Sequence, residues 1–134
     1  MRVNVFFYGL FMDISLLHSK GVNPQDIMLV ELKGYSLKIG NRATLIPDTN
    51  KTVYGFLMSL THDEIDTLYS DKSLKAYRYE PVIVYDKNGK MFPAVCFNLV
   101  EAPAIDEHNE EYAQKLKLVA LQYGLPKEYV NSIS

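Results

Sequence analysis

The sequence is poor in features that would place it in an oxidising or lipid environment. It holds a single cysteine, Cys96, so no internal disulfide can form and nothing requires an oxidising compartment. No apolar run approaches the roughly 18 to 20 residues of a membrane span. The charge-free stretches Val3 to Met12 and Met91 to Val100 are ten residues each and are broken by Asn4, Gly9, Pro93 and Asn98. The first of these follows Arg2 as a signal-peptide core would, but Asp13 and a helix-like segment come after it without a small-residue cleavage site, so it reads as a buried strand. Surplus charge is missing too: 14 Lys and Arg against 16 Asp and Glu give a net charge of −2, which argues against a nucleic-acid footprint or a membrane-surface patch. His18, His62 and His108 are scattered, with no HxH, HExxH or CxxC spacing, so neither a metal nor another cofactor is expected. Nucleophile-elbow, phosphate-loop and dinucleotide fingerprints are also lacking. The expected partner is a small molecule or another protein, and the expected location is the cytosol.

What is present is one domain's worth of chain: 134 residues against about 150 per domain. Hydrophobic residues make up 48% and charged residues 22%, enough apolar side chain to build a core. Prolines are dispersed and no linker-like run interrupts the chain, so a single domain over 1–134 is expected. Val3 to Tyr8 is β-branched and aromatic and stops at Gly9, as a strand would. Asp13 can cap a short helix over Ile14 to Ser19 that Gly21 ends. Four strands are predicted next, at Ile27 to Leu32, Ser36 to Ile39, Ala43 to Ile46 and Thr52 to Leu60, separated by Gly34, Gly40-Asn41 and a Pro47 to Asn50 turn. Thr61-His62-Asp63-Glu64 forms a capping box for a helix of about two turns. Tyr79 to Tyr85 and Met91 to Leu99 flank Lys87-Asn88-Gly89, a strong hairpin signal. Asp106 can cap a helix carrying Tyr112, Leu116, Val119, Ala120 and Tyr123 on one face, which Gly124 ends; Pro126 opens another short one. Strands and helices do not alternate regularly, so the expected class is α+β, with a mixed, mostly antiparallel sheet curled into a small barrel and flanked by helices.

Two segments can carry chemistry. Successive N–H groups in the Tyr8-Gly9-Leu10-Phe11-Met12 turn, between a strand end and a helix start, can converge on a carboxylate or an oxyanion. The stretch from Leu68 to Glu80 sets Asp71 and Glu80 near Lys72, Arg78 and three tyrosines, and a carboxylate there could shuttle protons. Arg42, after Gly40-Asn41, can clamp a substrate carboxylate bidentately. His108, within a charged helix start, is a further acid/base alternative. Cys96, between Val95 and Phe97 in an apolar strand, is expected to act as a small hydrophobe and not as a nucleophile.

These segments, in order, resemble the gamma-glutamylcyclotransferase-like family over nearly the whole chain. The resemblance rests on Phe6-Phe7-Tyr8-Gly9, on Leu37-Lys38-Ile39-Gly40-Asn41 leading to Ala43-Thr44-Leu45-Ile46-Pro47, on Thr52-Val53-Tyr54-Gly55, and on Glu111-Tyr112 with Tyr123-Gly124-Leu125-Pro126-Lys127-Glu128-Tyr129. It implies a barrel-like α+β fold with a cavity floored by the Tyr-Gly turn. In the family, the resemblance implies, a γ-glutamyl compound is cyclised there to 5-oxoproline by attack of its own α-amine on its γ-carbonyl, with turn N–H groups holding the oxyanion and a glutamate moving the proton. Two departures stand at those positions. The turn continues Leu10-Phe11-Met12-Asp13 where the family has small polar residues. The family's Leu-Asp-x-x-Glu aligns with Leu68-Tyr69-Ser70-Asp71-Lys72, putting Lys72 at the glutamate, and the alternative register from Ile65 puts Tyr69 there. The expectation is therefore either a cyclotransferase-type enzyme with Asp71 or Glu80 as the displaced acid, or an inactive homologue. The latter would bind an amino-acid-like or acidic ligand through Tyr8, Gly9, Leu10 and Phe11, with Arg42 and Tyr77 as contacts.

Overall fold

The computed structural model describes residues 1–134. Five strands, β1 (Arg2–Phe7), β2 (Gln25–Ile39), β3 (Ala43–Thr61), β4 (Tyr77–Tyr85) and β5 (Met91–Leu99), close into a barrel in the order β1-β3-β2-β4-β5. Four helices flank it: α1 (Ile14–Ser19), α2 (His62–Tyr69), α3 (Glu110–Gln122) and α4 (Lys127–Ser132). Neighbouring strands run antiparallel except β1 and β5, which meet in parallel at Val5 and Val95 and close the barrel. No helix is long and apolar enough to cross a membrane. The expected class and barrel architecture are what the chain adopts.

Local chemistry explains most element ends. Asp13 Oδ1 accepts from the N–H groups of Ser15 at 3.0 Å and Leu16 at 3.4 Å, capping α1. The capping box of α2 is complete: Thr61 Oγ1 accepts from Glu64 N–H at 3.1 Å, and Glu64 Oε1 accepts from Thr61 N–H at 2.9 Å. The β4–β5 turn closes on Asp86, and Gly89 supplies φ +82°. For α3 the cap is Asn109 instead of Asp106; its side chain accepts from Tyr112 N–H at 3.0 Å.

The predicted break at Gly34 is a kink inside one continuous strand. Gly34 takes φ +87°, and the register slips between Lys33 and Tyr35 without reversing the chain. The predicted turn at Pro47 to Asn50 is the other half of the same irregularity: Lys33 pairs with Thr52 but Tyr35 pairs with Pro47, so the residues between bulge out of β3. Asp48 Oδ1 accepts from Asn50 N–H at 3.1 Å and stabilises the bulge. Turn residues marked the right places, yet a bulge uses the same residues as a reversal. Inside the barrel and under α3 lies one cluster of 27 buried apolar residues, Phe6, Met12, Leu17, Met58, Leu60 and Leu116 among the largest. Complete burial of such side chains contributes roughly 1.5 to 3 kcal/mol each, which gives the site below a rigid frame.

Candidate functional site

A cavity of about 580 Å³ opens at the end of the barrel where β1 leaves the sheet, within the usual range for small-molecule sites of roughly 300 to 1,000 Å³. Seven parts of the chain line it: the β1 exit with its turn, Phe6 to Phe11; Leu16 and Lys20 of α1 and its end; the β2–β3 hairpin tip, Asn41 to Ala43; the end of α2 with its following loop, Thr67 to Asp71, Ser73 and Leu74; Tyr77 of β4; Phe97 of β5; and Tyr112 of α3. The structure thus brings together Tyr8, Gly9, Leu10, Phe11, Arg42, Asp71 and Tyr77, which are far apart in sequence.

The turn after β1 is built around a close approach. Gly9 has φ −113°, which any residue can adopt, so its backbone does not demand glycine. Space does: a Cβ there would sit 2.7 Å from Tyr112 Oη. That hydroxyl accepts a hydrogen bond from Leu10 N–H at 3.3 Å, tying the turn to α3. Residues Leu10–Met12 form a single 3-10 turn, with Met12 N–H donating to Gly9 O at 3.0 Å. The N–H groups of Gly9 and Phe11 donate to no acceptor within the protein, and both residues line the cavity. Asp13 faces away: its carboxylate caps α1 and accepts from Tyr123 Oη at 3.2 Å.

Aromatic side chains make the walls. Tyr8 Oη donates to Phe97 O at 2.6 Å, joining β1 to β5 inside the barrel, and Tyr77 Oη donates to Ala43 O, joining β4 to β3. Tyr69 stacks on Phe97 with centroids 4.0 Å apart and meets Phe11 edge-on at 5.6 Å. Burial pushes the hydroxyls of Tyr8, Tyr69, Tyr77 and Tyr112 above the ordinary tyrosine range, and mutual proximity adds to it for Tyr8, Tyr69 and Tyr77. All four are neutral at physiological pH and able to donate.

Charge is confined to the mouth. Asp71, fully exposed, accepts from Ser73 N–H at 2.8 Å and begins a second 3-10 turn, Lys72–Leu74. That bond, helped by the Ser73 side chain and by the charges of Lys20 and Arg42, holds its carboxyl below the usual range. Lys20 and Arg42 are exposed and in no ion pair. Arg42 is carried by a hairpin tip fixed from outside: Asn41 N–H donates to Glu107 Oε2 at 2.8 Å, and Gly40 leaves room for that carboxylate and for Pro103. Lys72, aligned with the family's glutamate, does not line the cavity, whereas its neighbour Asp71 does. Lys20 is a site residue that sequence reasoning missed; its only signal is its place just before Gly21, at the helix end that faces the turn.

Glu80, the other acid candidate, does not line the cavity. It lies on the inner face of β4 with Val82 and Val84, opposite Cys96, and its carboxylate accepts from Asn98 Nδ2. Asn98 Oδ1 in turn accepts from Leu45 N–H at 3.3 Å, so Glu80 braces the barrel. Its position follows from period-2 alternation, which sends every second residue of β4 inward. Cys96 is buried, its thiol pushed up to about 12 chiefly by burial, as expected of a structural thiol. His18, His62 and His108 are exposed, and His108 only bonds Asp106 O through Nδ1 at 3.1 Å.

No protein-family model matches the sequence, and no curated protein matches it either. Solved structures do. The chain is similar to a gamma-glutamyl cyclotransferase with a TM-score of 0.82 and 18% identity, over 100% of this chain and 89% of that one. A human protein described as uncharacterized gives 0.79 at 19% identity, over 99% and 88% of the two chains. A yeast gamma-glutamyl cyclotransferase specific to glutathione gives 0.66 at 14% identity, over 98% and 93%. The chain therefore has the gamma-glutamylcyclotransferase-like fold that its residues resembled.

Proposed function

We propose that the cavity binds a γ-glutamyl compound and cyclises it to 5-oxoproline with release of an amine. The observation that carries this reading is the meeting, in one cavity, of an exposed carboxylate, Asp71, with the unpaired N–H groups of Gly9 and Phe11 in the turn after β1. The α-amine of the γ-glutamyl unit attacks its γ-carbonyl carbon, and the carbonyl oxygen becomes an oxyanion held by the Gly9 and Phe11 N–H groups. Asp71 takes the proton that the attacking amine loses. The bond from the γ-carbon to the departing nitrogen then breaks, and Asp71 delivers the proton to that nitrogen, so atoms balance without water. Arg42 clamps a substrate carboxylate through its guanidinium fork. Attack within one molecule gains heavily from proximity, which leaves little for the protein to supply beyond donors and a proton carrier.

A carboxyl held below its usual range is always ionised at neutral pH, which suits the base step and weakens the acid step. That property of Asp71 favours a second reading, a binding protein that holds an acidic, amino-acid-like ligand in the same cavity without turning it over. Two variants separate the readings. Asp71→Asn lowers 5-oxoproline release by about 10² or more, the usual weight of an acid/base group, while Glu80→Gln leaves turnover within a few-fold. Equal turnover in wild type and Asp71→Asn would remove Asp71 from the reaction. Binding without turnover in folded wild-type protein would establish the second reading.

A further inference from the structure

One hydroxyl in the cavity has no partner. Tyr8 and Tyr77 spend their hydroxyl protons on Phe97 O and Ala43 O, and the Tyr112 oxygen accepts from Leu10 N–H. Tyr69 Oη makes no hydrogen bond to any protein atom, although its ring is held in place, stacked on Phe97 and edge-on to Phe11. Its hydroxyl is also not sealed in: Tyr129 Oη is the one buried, unpartnered side-chain polar atom in the protein. Tyr69 lines the cavity, so its O–H opens into that space. A donor fixed by stacking and left unpaired costs the free protein little while it faces open space, and it becomes costly only when an apolar group covers it.

We infer that Tyr69 is a ligand-binding residue: its hydroxyl donates to an acceptor oxygen, carbonyl or carboxylate, that the ligand carries into the aromatic end of the cavity. The inference rests on the γ-glutamyl reading for the choice of probe, though the unpaired hydroxyl itself does not. Burial keeps the group protonated far above physiological pH, so it donates throughout the working range and carries no proton away. It therefore selects for ligands with an oxygen acceptor and against those that place only hydrocarbon there. The position is notable chemically because one alignment of the catalytic segment sets Tyr69 where the family has its glutamate; here that place supplies a donor, and the carboxylate comes from Asp71.

The test compares wild type, Tyr69→Phe and Tyr8→Phe, using γ-glutamyl-phenylalanine as probe in titration calorimetry and thermal melting. Phenylalanine keeps the stacking at position 69 and removes only the oxygen. The expected result is an unchanged melting temperature for Tyr69→Phe with about tenfold weaker binding. Tyr8→Phe, whose hydroxyl has a backbone acceptor, melts lower. Unchanged affinity in Tyr69→Phe would overturn the inference. L-glutamate and 5-oxoproline are run alongside. If wild type binds one of them but not γ-glutamyl-phenylalanine, and Tyr69→Phe loses that binding, the γ-glutamyl reading fails and the role of Tyr69 stands. If wild type binds none of the three, both fail.

Discussion

Replacing Gly9 by alanine tests how the floor of the cavity is built. The added Cβ would lie 2.7 Å from Tyr112 Oη, about 0.8 Å inside the roughly 3.5 Å at which non-bonded atoms rest. Since φ at Gly9 is −113°, backbone strain contributes nothing and the whole cost is this contact. Pushing the tyrosine back breaks its 3.3 Å bond from Leu10 N–H, worth about 0.5 to 1.5 kcal/mol net. Overpacking adds about 1 to 3 kcal/mol. A loss of about 2 to 4 kcal/mol should lower the melting temperature by about 8 to 16 °C, at some 4 °C per kcal/mol for a chain of this size. The informative experiment is the double-mutant cycle with Tyr112→Phe, read by thermal and urea unfolding. Without Oη the nearest remaining atom to the Cβ is Tyr112 Cζ at 4.0 Å, an ordinary contact. Gly9→Ala in that background should cost under about 0.5 kcal/mol, giving a coupling energy of about 1.5 kcal/mol or more. Equal costs in the two backgrounds would refute the claim that glycine is there to admit the hydroxyl.

Other consequences follow from charge. Lys20 and Arg42 are exposed at the mouth, so affinity for γ-glutamyl-phenylalanine should fall several-fold between about 0.05 and 0.5 M salt, since exposed charges are screened within the Debye length. Arg42→Gln should weaken binding and flatten that dependence, and an unchanged salt slope would remove Arg42 from ligand contact. Glu64 bonds the N–H groups of Thr61 at 2.9 Å and Asn23 at 2.7 Å; burial opposes its ionisation, but these bonds and Arg2 win and hold its carboxyl below the usual range. A folded-state value below the unfolded one stabilises the fold above the unfolded value, near 4.3, and the contribution disappears as pH falls through the depressed value. Glu64→Gln should therefore cost about 1 to 2 kcal/mol at pH 7 and less at pH 3, below the unfolded value, measured by urea unfolding at both; an equal cost at both pH values would contradict this.

Much of the fold is legible in the sequence because its signals are local. Asn88-Gly89, the Thr61 to Glu64 box and the Asp13 cap each act within four residues and hold in the structure. Gly34 and Pro47 mislead because their meaning depends on the partner strand: a kink and a bulge in paired strands look, one strand at a time, like two turns. The site divides in the same way. Gly9 and Arg42 were legible as chemistry on a loop and a hairpin tip, whereas Tyr77, expected in the segment before a strand starting at Tyr79, itself opens β4. That Asp71 lines the cavity while Glu80 braces the barrel depends on strand alternation and on a cross-barrel bond to Asn98, which no local pattern shows. Tyr69 was visible as one of three tyrosines near Asp71 and as a misfit in an alignment; its significance lies in its hydroxyl alone lacking a partner when Tyr8 and Tyr77 have found theirs.

The most direct test of the central claim is product identification. Purified protein is incubated with γ-glutamyl-phenylalanine, a γ-glutamylamine and glutathione, and products are followed by mass spectrometry against an Asp71→Asn control. The account predicts 5-oxoproline and free amine in equal amounts from at least one substrate, with the signal lost in Asp71→Asn. Glutamate in place of 5-oxoproline would mean that water and not the α-amine attacks, and would contradict the account; so would no product from protein that binds all three.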